Sequence, residues 1–84
     1  MKYNIEKDRQ HYEKAASYLQ KIVDNYGDDI LADNALFYLG DLYQFYLKEE
    51  EKAKNYYEKI IVEYKDSTFS IEARKRYRKL RGDT

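Results

Sequence analysis

The segment Glu13–Tyr26, EKAASYLQKIVDNY, recurs 38 residues further along the chain as Glu51–Tyr64, EKAKNYYEKIIVEY. Over about thirty positions compared at this offset, about ten are identical without a gap, and most of these are apolar or small. The identical positions lie three, four or seven residues apart, which is the spacing of one face of an α-helix. The sequence therefore contains an internal helical repeat, a pattern typical of solenoids, in which neighbouring units bury a continuous core.

The composition is that of one small folded domain. The 84 residues carry 16 basic and 16 acidic side chains, and 17% of them are aromatic, which is more than a disordered chain contains. There is no cysteine, so neither a disulfide nor a thiolate metal site can stabilise the fold, and its stability must come from helix packing or from a partner. No apolar run reaches the roughly 18 residues that a membrane span needs.

Four helices are predicted, because apolar residues recur at helical spacing in four segments. The first helix ends near Asn25, and Glu49–Glu51 lies where the positive end of the third helix favours acidic residues. The remaining helix ends are marked by residues that cap helices: Gly27 in the left-handed conformation, Asp28 or Asp29, Asp66 or Ser67, and Gly82.

Each helix has an apolar face that we expect to be buried. In the second helix this face consists of Leu31, Ala35, Tyr38, Leu39, Leu42 and Tyr46. In the other three helices the corresponding residues are Ile5, Tyr12, Ala15, Ala16, Leu19, Ile22, Val23 and Tyr26, then Ala53, Tyr56, Tyr57, Ile60, Ile61 and Tyr64, and finally Phe69, Ile71, Ala73, Tyr77 and Leu80. Gly40 costs the second helix up to about 1 kcal/mol relative to alanine, so a close helix crossing is predicted there.

The link between the second and third helices admits two structures. Leu47–Glu50 contains no glycine, proline, asparagine or aspartate, and the helical phase of the apolar residues runs through it without a break. Residues 46–53 could therefore form either a hairpin turn or part of one continuous helix that exchanges halves with a second chain. The continuous helix would turn Glu49 and Glu50 inward, so we predict the hairpin.

A known pattern is carried by ALFYLGDLY at Ala35–Tyr43 and by the segments that follow it: Glu51–Ala53, Tyr56–Tyr57, Ile60–Ile61 and Tyr64–Ser67. This pattern resembles the tetratricopeptide repeat, most closely the variant of bacterial envelope proteins such as the outer-membrane assembly lipoproteins and the Tol-Pal coordination protein. The resemblance implies an all-α fold in which antiparallel helix hairpins form a short right-handed solenoid of about four helices. It also implies that residues 1–84 are one domain from a longer array, located in the bacterial periplasm or envelope.

The resemblance further implies a binding site, because tetratricopeptide arrays hold their partners in a concave groove lined by the first helix of each repeat. The groove positions in this sequence are Asn34, Phe37, Asp41, Gln44, Phe45, Glu72, Lys75 and Lys79. One subfamily clamps a terminal carboxylate with a lysine and an asparagine of the first helix. Phe37 and Asp41 occupy those places here, so that particular function is not expected.

Residues suited to catalysis or to metal binding are scarce. His11 lies among polar residues of the first helix, and Ser17 has no neighbouring histidine that could activate it. The aspartates between positions 24 and 33 lack the glycine and terminal glutamate of a helix-loop-helix calcium site, and we interpret them as helix caps. We therefore expect no enzymatic activity, no cofactor and no metal, and predict a module that binds a protein or peptide partner.

Two alternative functions remain open. Arg74–Arg81 contains six cations in eight residues around Tyr77, an arrangement that could contact phosphates and stack on a base. Because the net charge is zero, we instead interpret these cations as the exposed face of a terminal helix. The second alternative is a self-associating structural module. The unprotected ends of the solenoid would expose parts of Ile5, Tyr12, Ile71 and Tyr77, and this exposure predicts a homodimer.

Overall fold

The computed structural model describes residues 5–27 and 30–82. Four α-helices run through these residues: α1 at Ile5–Asn25, α2 at Ile30–Asp41, α3 at Glu50–Glu63 and α4 at Ser70–Arg81. A five-residue π-helical segment, Leu42–Tyr46, continues α2 and is called the π segment below. Each α-helix packs against the next one along the chain, and no strand occurs in the two described ranges. The fold is therefore all-α and built from helical hairpins, as predicted.

Helices α2 and α3 approach closely at Gly40 of α2, which contacts the ring of Tyr57 of α3. The Tyr57 ring is fully buried, and a Cβ atom placed on Gly40 would lie 2.7 Å from its Cζ and 2.8 Å from its Cδ1. Both distances are shorter than carbon atoms in contact tolerate, so only glycine permits this separation of α2 and α3. The predicted close crossing at Gly40 is confirmed.

The buried face of α2 differs from the predicted one. The prediction was wrong for three residues that are exposed: Leu31, Tyr38 and Tyr46. Their places in the core are taken by Ala32, Leu36 and Phe37. Apolar residues surround most of α2, so their periodicity could not identify the side that faces α3. The contact of Gly40 with Tyr57 decides it. The predicted faces of the other helices were wrong for three exposed residues: Ala15, Tyr26 and Ile71.

A tight turn at Leu47–Glu49 reverses the chain between the π segment and α3, so the predicted hairpin is confirmed and the continuous helix does not form. Lys48 adopts a left-handed conformation with φ of 59°, although it is not glycine. The turn is held from outside by Arg9 of α1, which donates hydrogen bonds to the Leu47 carbonyl at 3.0 Å and to Glu49 Oε2 at 2.8 Å. Leu47 is buried beneath it.

The helix ends agree only in part with the predicted caps. Gly82 stops α4 in the left-handed conformation, with φ of 96°, as predicted. Gly27 does not adopt that conformation, and its carbonyl instead accepts a hydrogen bond from the Tyr64 hydroxyl. The N-cap of α4 is Phe69 rather than Asp66 or Ser67, because an intervening turn separates those residues from the helix. The caps predicted at positions 28 and 29 lie outside the described residues.

We expect Gly40→Ala to lower the free energy of unfolding by about 1–3 kcal/mol, because the added methyl group must displace the buried Tyr57 ring. Helix propensity alone would favour alanine by about 1 kcal/mol, so the sign of the change reports the clash. Urea denaturation measures it. The matched background is Tyr57→Leu, in which Gly40→Ala should no longer destabilise the chain. A Gly40→Ala chain at least as stable as the wild type would contradict the close crossing.

Lys48→Gly should raise the free energy of unfolding by about 1 kcal/mol, because glycine adopts the left-handed conformation without the steric cost that lysine incurs. The control is Lys14→Gly at an exposed position of α1, which should destabilise the chain by about 1 kcal/mol. Thermal denaturation followed by circular dichroism distinguishes the two directions. If both substitutions destabilise equally, the turn does not hold Lys48 in this conformation.

Candidate partner-binding groove

A groove lies between the π segment and α4. Its cavity has a volume of about 190 Å³ and is lined by Gln44, Phe45, Glu72, Lys75, Arg76 and Lys79. In the π segment the backbone hydrogen bonds span five residues instead of four, as from the Leu47 N–H to the Leu42 carbonyl, so this turn is wider than those of α2. Turns of this kind often occur at functional sites. The groove therefore has one wall of uncharged side chains, from the π segment, and one wall of mostly charged side chains, from α4.

Five of the eight predicted groove residues line this cavity together: Gln44, Phe45, Glu72, Lys75 and Lys79. The other three do not line it. Asn34 is half-buried on α2, whereas Phe37 is only 7% exposed and packs against Phe69, with ring centroids 4.8 Å apart. Asp41 is half-buried and forms an ion pair with Arg76. The structure thus places Phe37 and Asp41 beneath the groove, where they support it.

Arg76 is the groove residue that the sequence analysis missed. It pairs with Asp41 and lies 3.6 Å from Glu72, and its guanidinium stands over the rings of Phe37 at 4.6 Å and Phe45 at 5.6 Å. Burial lowers the pKa of this guanidinium from its usual value. No local pattern distinguished Arg76 from its basic neighbours. The only available signal was its position four residues after Glu72.

Tyr57 connects the groove to the core. Its hydroxyl donates a hydrogen bond to Asp41 Oδ1 at 2.7 Å, lies 2.9 Å from Gln44 Oε1 and receives a long hydrogen bond from Arg76 at 3.4 Å. Burial, together with the negative charge of Glu72, raises the pKa of the Tyr57 hydroxyl well above its usual value. A neutral hydroxyl is thus held beneath the groove, with its ring against Gly40.

The groove carries unbalanced positive charge. Arg76 is neutralised by Asp41 and Glu72. Lys75 and Lys79 are exposed and form no ion pair within the described parts of the chain. Two lysines therefore remain available to a ligand on the α4 wall, opposite the half-exposed ring of Phe45.

A wider cleft lies between α1 and α3. Its volume is about 590 Å³, and the sequence analysis did not predict it. Its charges are partly satisfied within the chain, since Arg9 pairs with Glu13 at 3.1 Å and with Glu49 at 2.8 Å, and Lys52 lies 3.4 Å from Glu49. We therefore favour the smaller groove, where the charge is unpaired, as the binding site.

Neither metal chemistry nor a membrane span is indicated by the residues that the structure describes. They contain no cluster of three or more histidine, aspartate or glutamate side chains arranged to hold a metal ion. None of the four helices is both long and apolar enough to cross a membrane, within the same residues.

Most of the hairpin formed by α2 and α3 matches the sequence pattern of a known family. Residues 34–67 match the tetratricopeptide repeat. The match runs from the second turn of α2 through the π segment, the Lys48 turn and α3, and it ends in the loop before α4. Repeats of this family generally mediate protein–protein interactions. No curated protein and no solved structure matches the chain. The closer resemblance to bacterial envelope proteins stays a prediction.

The raised pKa of Tyr57 predicts a loss of stability at high pH. Above about pH 10 the tyrosine of the unfolded chain loses its proton while the folded chain keeps it, so deprotonation favours unfolding. We expect the stability advantage of the wild type over Tyr57→Phe to shrink by up to about 1.4 kcal/mol per pH unit in this range. Urea denaturation at several pH values from 9 upward measures this difference.

The control for this measurement is Tyr18→Phe, which makes the same change in an exposed ring. The difference in unfolding free energy between Tyr18→Phe and the wild type should not show the pH dependence expected for Tyr57→Phe. Parallel stability curves for the wild type and Tyr57→Phe across this range would contradict the assignment of a neutral, buried hydroxyl.

Proposed function

We propose that this chain is a non-catalytic module that holds a segment of a protein partner in the groove between the π segment and α4. One observation carries the proposal: residues from two separate helices, predicted as groove positions, converge on one cavity whose two lysines form no ion pair with the residues that the structure describes. Hydrogen bonds and packing already satisfy the polar groups beneath them. The groove can therefore bind a ligand without rearrangement of the core.

The charges and rings of the groove indicate the chemistry of the partner. Lys75 and Lys79 are one helical turn apart on α4, so they favour two carboxylates or one carboxylate that contacts both. Phe45 on the opposite wall offers an exposed ring to an apolar side chain. A peptide segment with an apolar residue next to acidic residues satisfies both walls. Large side chains that are buried at the centre of an interface and surrounded by weaker contacts dominate the affinity of many complexes.

The experiment is a selection of binding peptides from a random phage-displayed library on the wild-type chain, followed by affinity measurements with fluorescein-labelled peptides. The double variant Lys75→Glu, Lys79→Glu should weaken the selected peptides about tenfold or more, because each lost charge contact contributes of the order of 1 kcal/mol. Phe45→Ala should weaken them as well. We also expect the selected sequences to be enriched in aspartate and glutamate.

The matched control is Lys14→Glu, Lys21→Glu, which makes the same charge change at two exposed positions of α1. It should leave the affinity for the peptides unchanged. Equal weakening by both double variants would show only a general electrostatic effect and would contradict a groove site. Salt-sensitive retention of the wild type on RNA, with no peptide selected, would instead favour the nucleic-acid alternative.

A further inference from the structure

The 38-residue repeat makes α1 the equivalent of α3 and α4 the equivalent of α2. The inward side of α3 contains Ala53, Tyr56, Tyr57, Ile60 and Tyr64, which belong to the hydrophobic core and are all buried or half-buried. The equivalent side of α1 consists of Ala15, Tyr18, Leu19, Ile22 and Tyr26, and we call it the α1 face. In this face Ala15 is exposed, and Tyr18 and Tyr26 are 67% and 53% exposed. Residues of similar type to those that α3 buries are thus present at the equivalent positions of α1, where they are only partly covered.

A second exposed surface lies at the opposite end of the helix array, where α3 and α4 meet. It contains Val62 and Ile71, which are 60% and 71% exposed. A shallow cavity of about 310 Å³ there is lined by Glu58, Ile61, Val62, Arg74, Tyr77, Arg78 and Arg81. We call this surface, with Ile71, the α4 face. Its positions 74, 77 and 78 are the repeat equivalents of Leu36, Leu39 and Gly40, which are buried in the structure.

We propose that the α1 face of one copy of this chain packs on the α4 face of a second copy. Helix α4 of the second copy and α1 of the first then form an antiparallel pair equivalent to α2 and α3. Each junction between copies thus completes one more helical repeat, with one helix from each chain. This surface is separate from the peptide groove, and the proposal does not depend on it.

The side-chain sizes at the proposed junction are complementary. Within the chain, the closest contact of the pair joins a small residue of the first helix, Gly40, to a large one of the second, Tyr57. At the junction the equivalent residues are Arg78 of α4 and Leu19 of α1. The larger side chain therefore lies on the helix equivalent to α2, and the smaller one lies on the helix equivalent to α3. The aliphatic part of an arginine can cover a leucine while its charged end stays in water.

The charges also favour this pairing over the contact of two α4 faces. Helix α4 carries six of the sixteen cations and one of the sixteen acidic residues, whereas α1 carries four cations and four acidic residues and has no net charge. Two α4 faces would therefore repel each other. The α1 face offers tyrosine rings, and arginines already stand over tyrosine rings inside this structure, as Arg81 does over Tyr77 at 5.4 Å.

Such a contact is head-to-tail, since the two surfaces differ and every copy carries one of each. Association of this kind does not end at a dimer unless the rotation between copies closes a ring. The proposal therefore predicts that the average mass rises with concentration past that of two chains. The homodimer predicted from the sequence would contain only two chains.

The experiment is light scattering on the 84-residue chain without any partner, over a concentration series from about 10 μM to about 1 mM. Tyr18→Lys disables the α1 face, and Arg78→Glu disables the α4 face. Both side chains are exposed, so both variants should fold with helicity and melting temperature close to those of the wild type. We expect the wild type to exceed twice the monomer mass and each variant alone to remain a monomer.

The decisive sample is an equimolar mixture of the two variants. Each retains the face that the other lacks, so the mixture should form a dimer and stop there. The matched controls are Asn55→Lys, on the outer side of α3, and Lys21→Glu, in the cleft between α1 and α3, and both should associate as the wild type does.

Three results would overturn the proposal. A wild type that stays monomeric throughout the series has no such contact. A dimer that Tyr18→Lys abolishes and Arg78→Glu leaves intact would mean that two α1 faces pair with each other. A mixture of the two variants that remains monomeric would mean that the two faces do not bind one another.

Discussion

The contact between the Tyr57 ring and the backbone of Gly40 is the constraint on which the rest of the structure depends. A side chain at position 40 would hold α2 and α3 further apart, and the ring would lose the enclosure that buries it completely. Burying a side chain of this size contributes about 1.5–3 kcal/mol, which offsets the cost of a glycine in mid-helix. The same contact selects the side of α2 that faces α3. Leu36 and Leu39 follow it into the core, while Leu31 and Tyr38 remain outside.

The hydroxyl end of the same ring organises the groove. It anchors Asp41, which in turn pairs with Arg76 of α4 and so joins three helices at one point. The guanidinium of Arg76 packs over the ring of Phe37, which lies beneath the groove, and over the ring of Phe45, which forms part of its wall. A half-buried network of this kind is costly when it loses one partner, because the remaining charge stays desolvated. The groove is therefore built on groups that are already satisfied, whereas Lys75 and Lys79 form no ion pair among the described residues.

The distribution of charge and apolar surface follows from the repeat architecture. Each helical unit buries its apolar side against its neighbours, so the outermost helices of any described array expose the sides that inner helices bury. Here α1 exposes tyrosines at positions where α3 is covered, and α4 presents arginines where α2 has leucine and glycine. These two surfaces differ in chemistry, and this difference is the basis of the head-to-tail contact that we propose. A chain with zero net charge can thus still concentrate positive charge in one helix, α4.

The repeat, the four helices and the close crossing at Gly40 were predictable from the sequence, because they depend on periodicity or on a single residue with few conformational options, and both are local properties. Five of the residues that line the groove were predicted only from the resemblance to the tetratricopeptide repeat. Only the tertiary structure decided which side of α2 is buried, because apolar residues surround that helix. It also decided that Lys48 forms the turn, since Arg9 holds Leu47 and Glu49 from 38 and 40 residues away. Arg76 likewise gained its role from Asp41, 35 residues earlier. Contacts over such distances in the chain leave no periodic signal, and only folding brings their partners together.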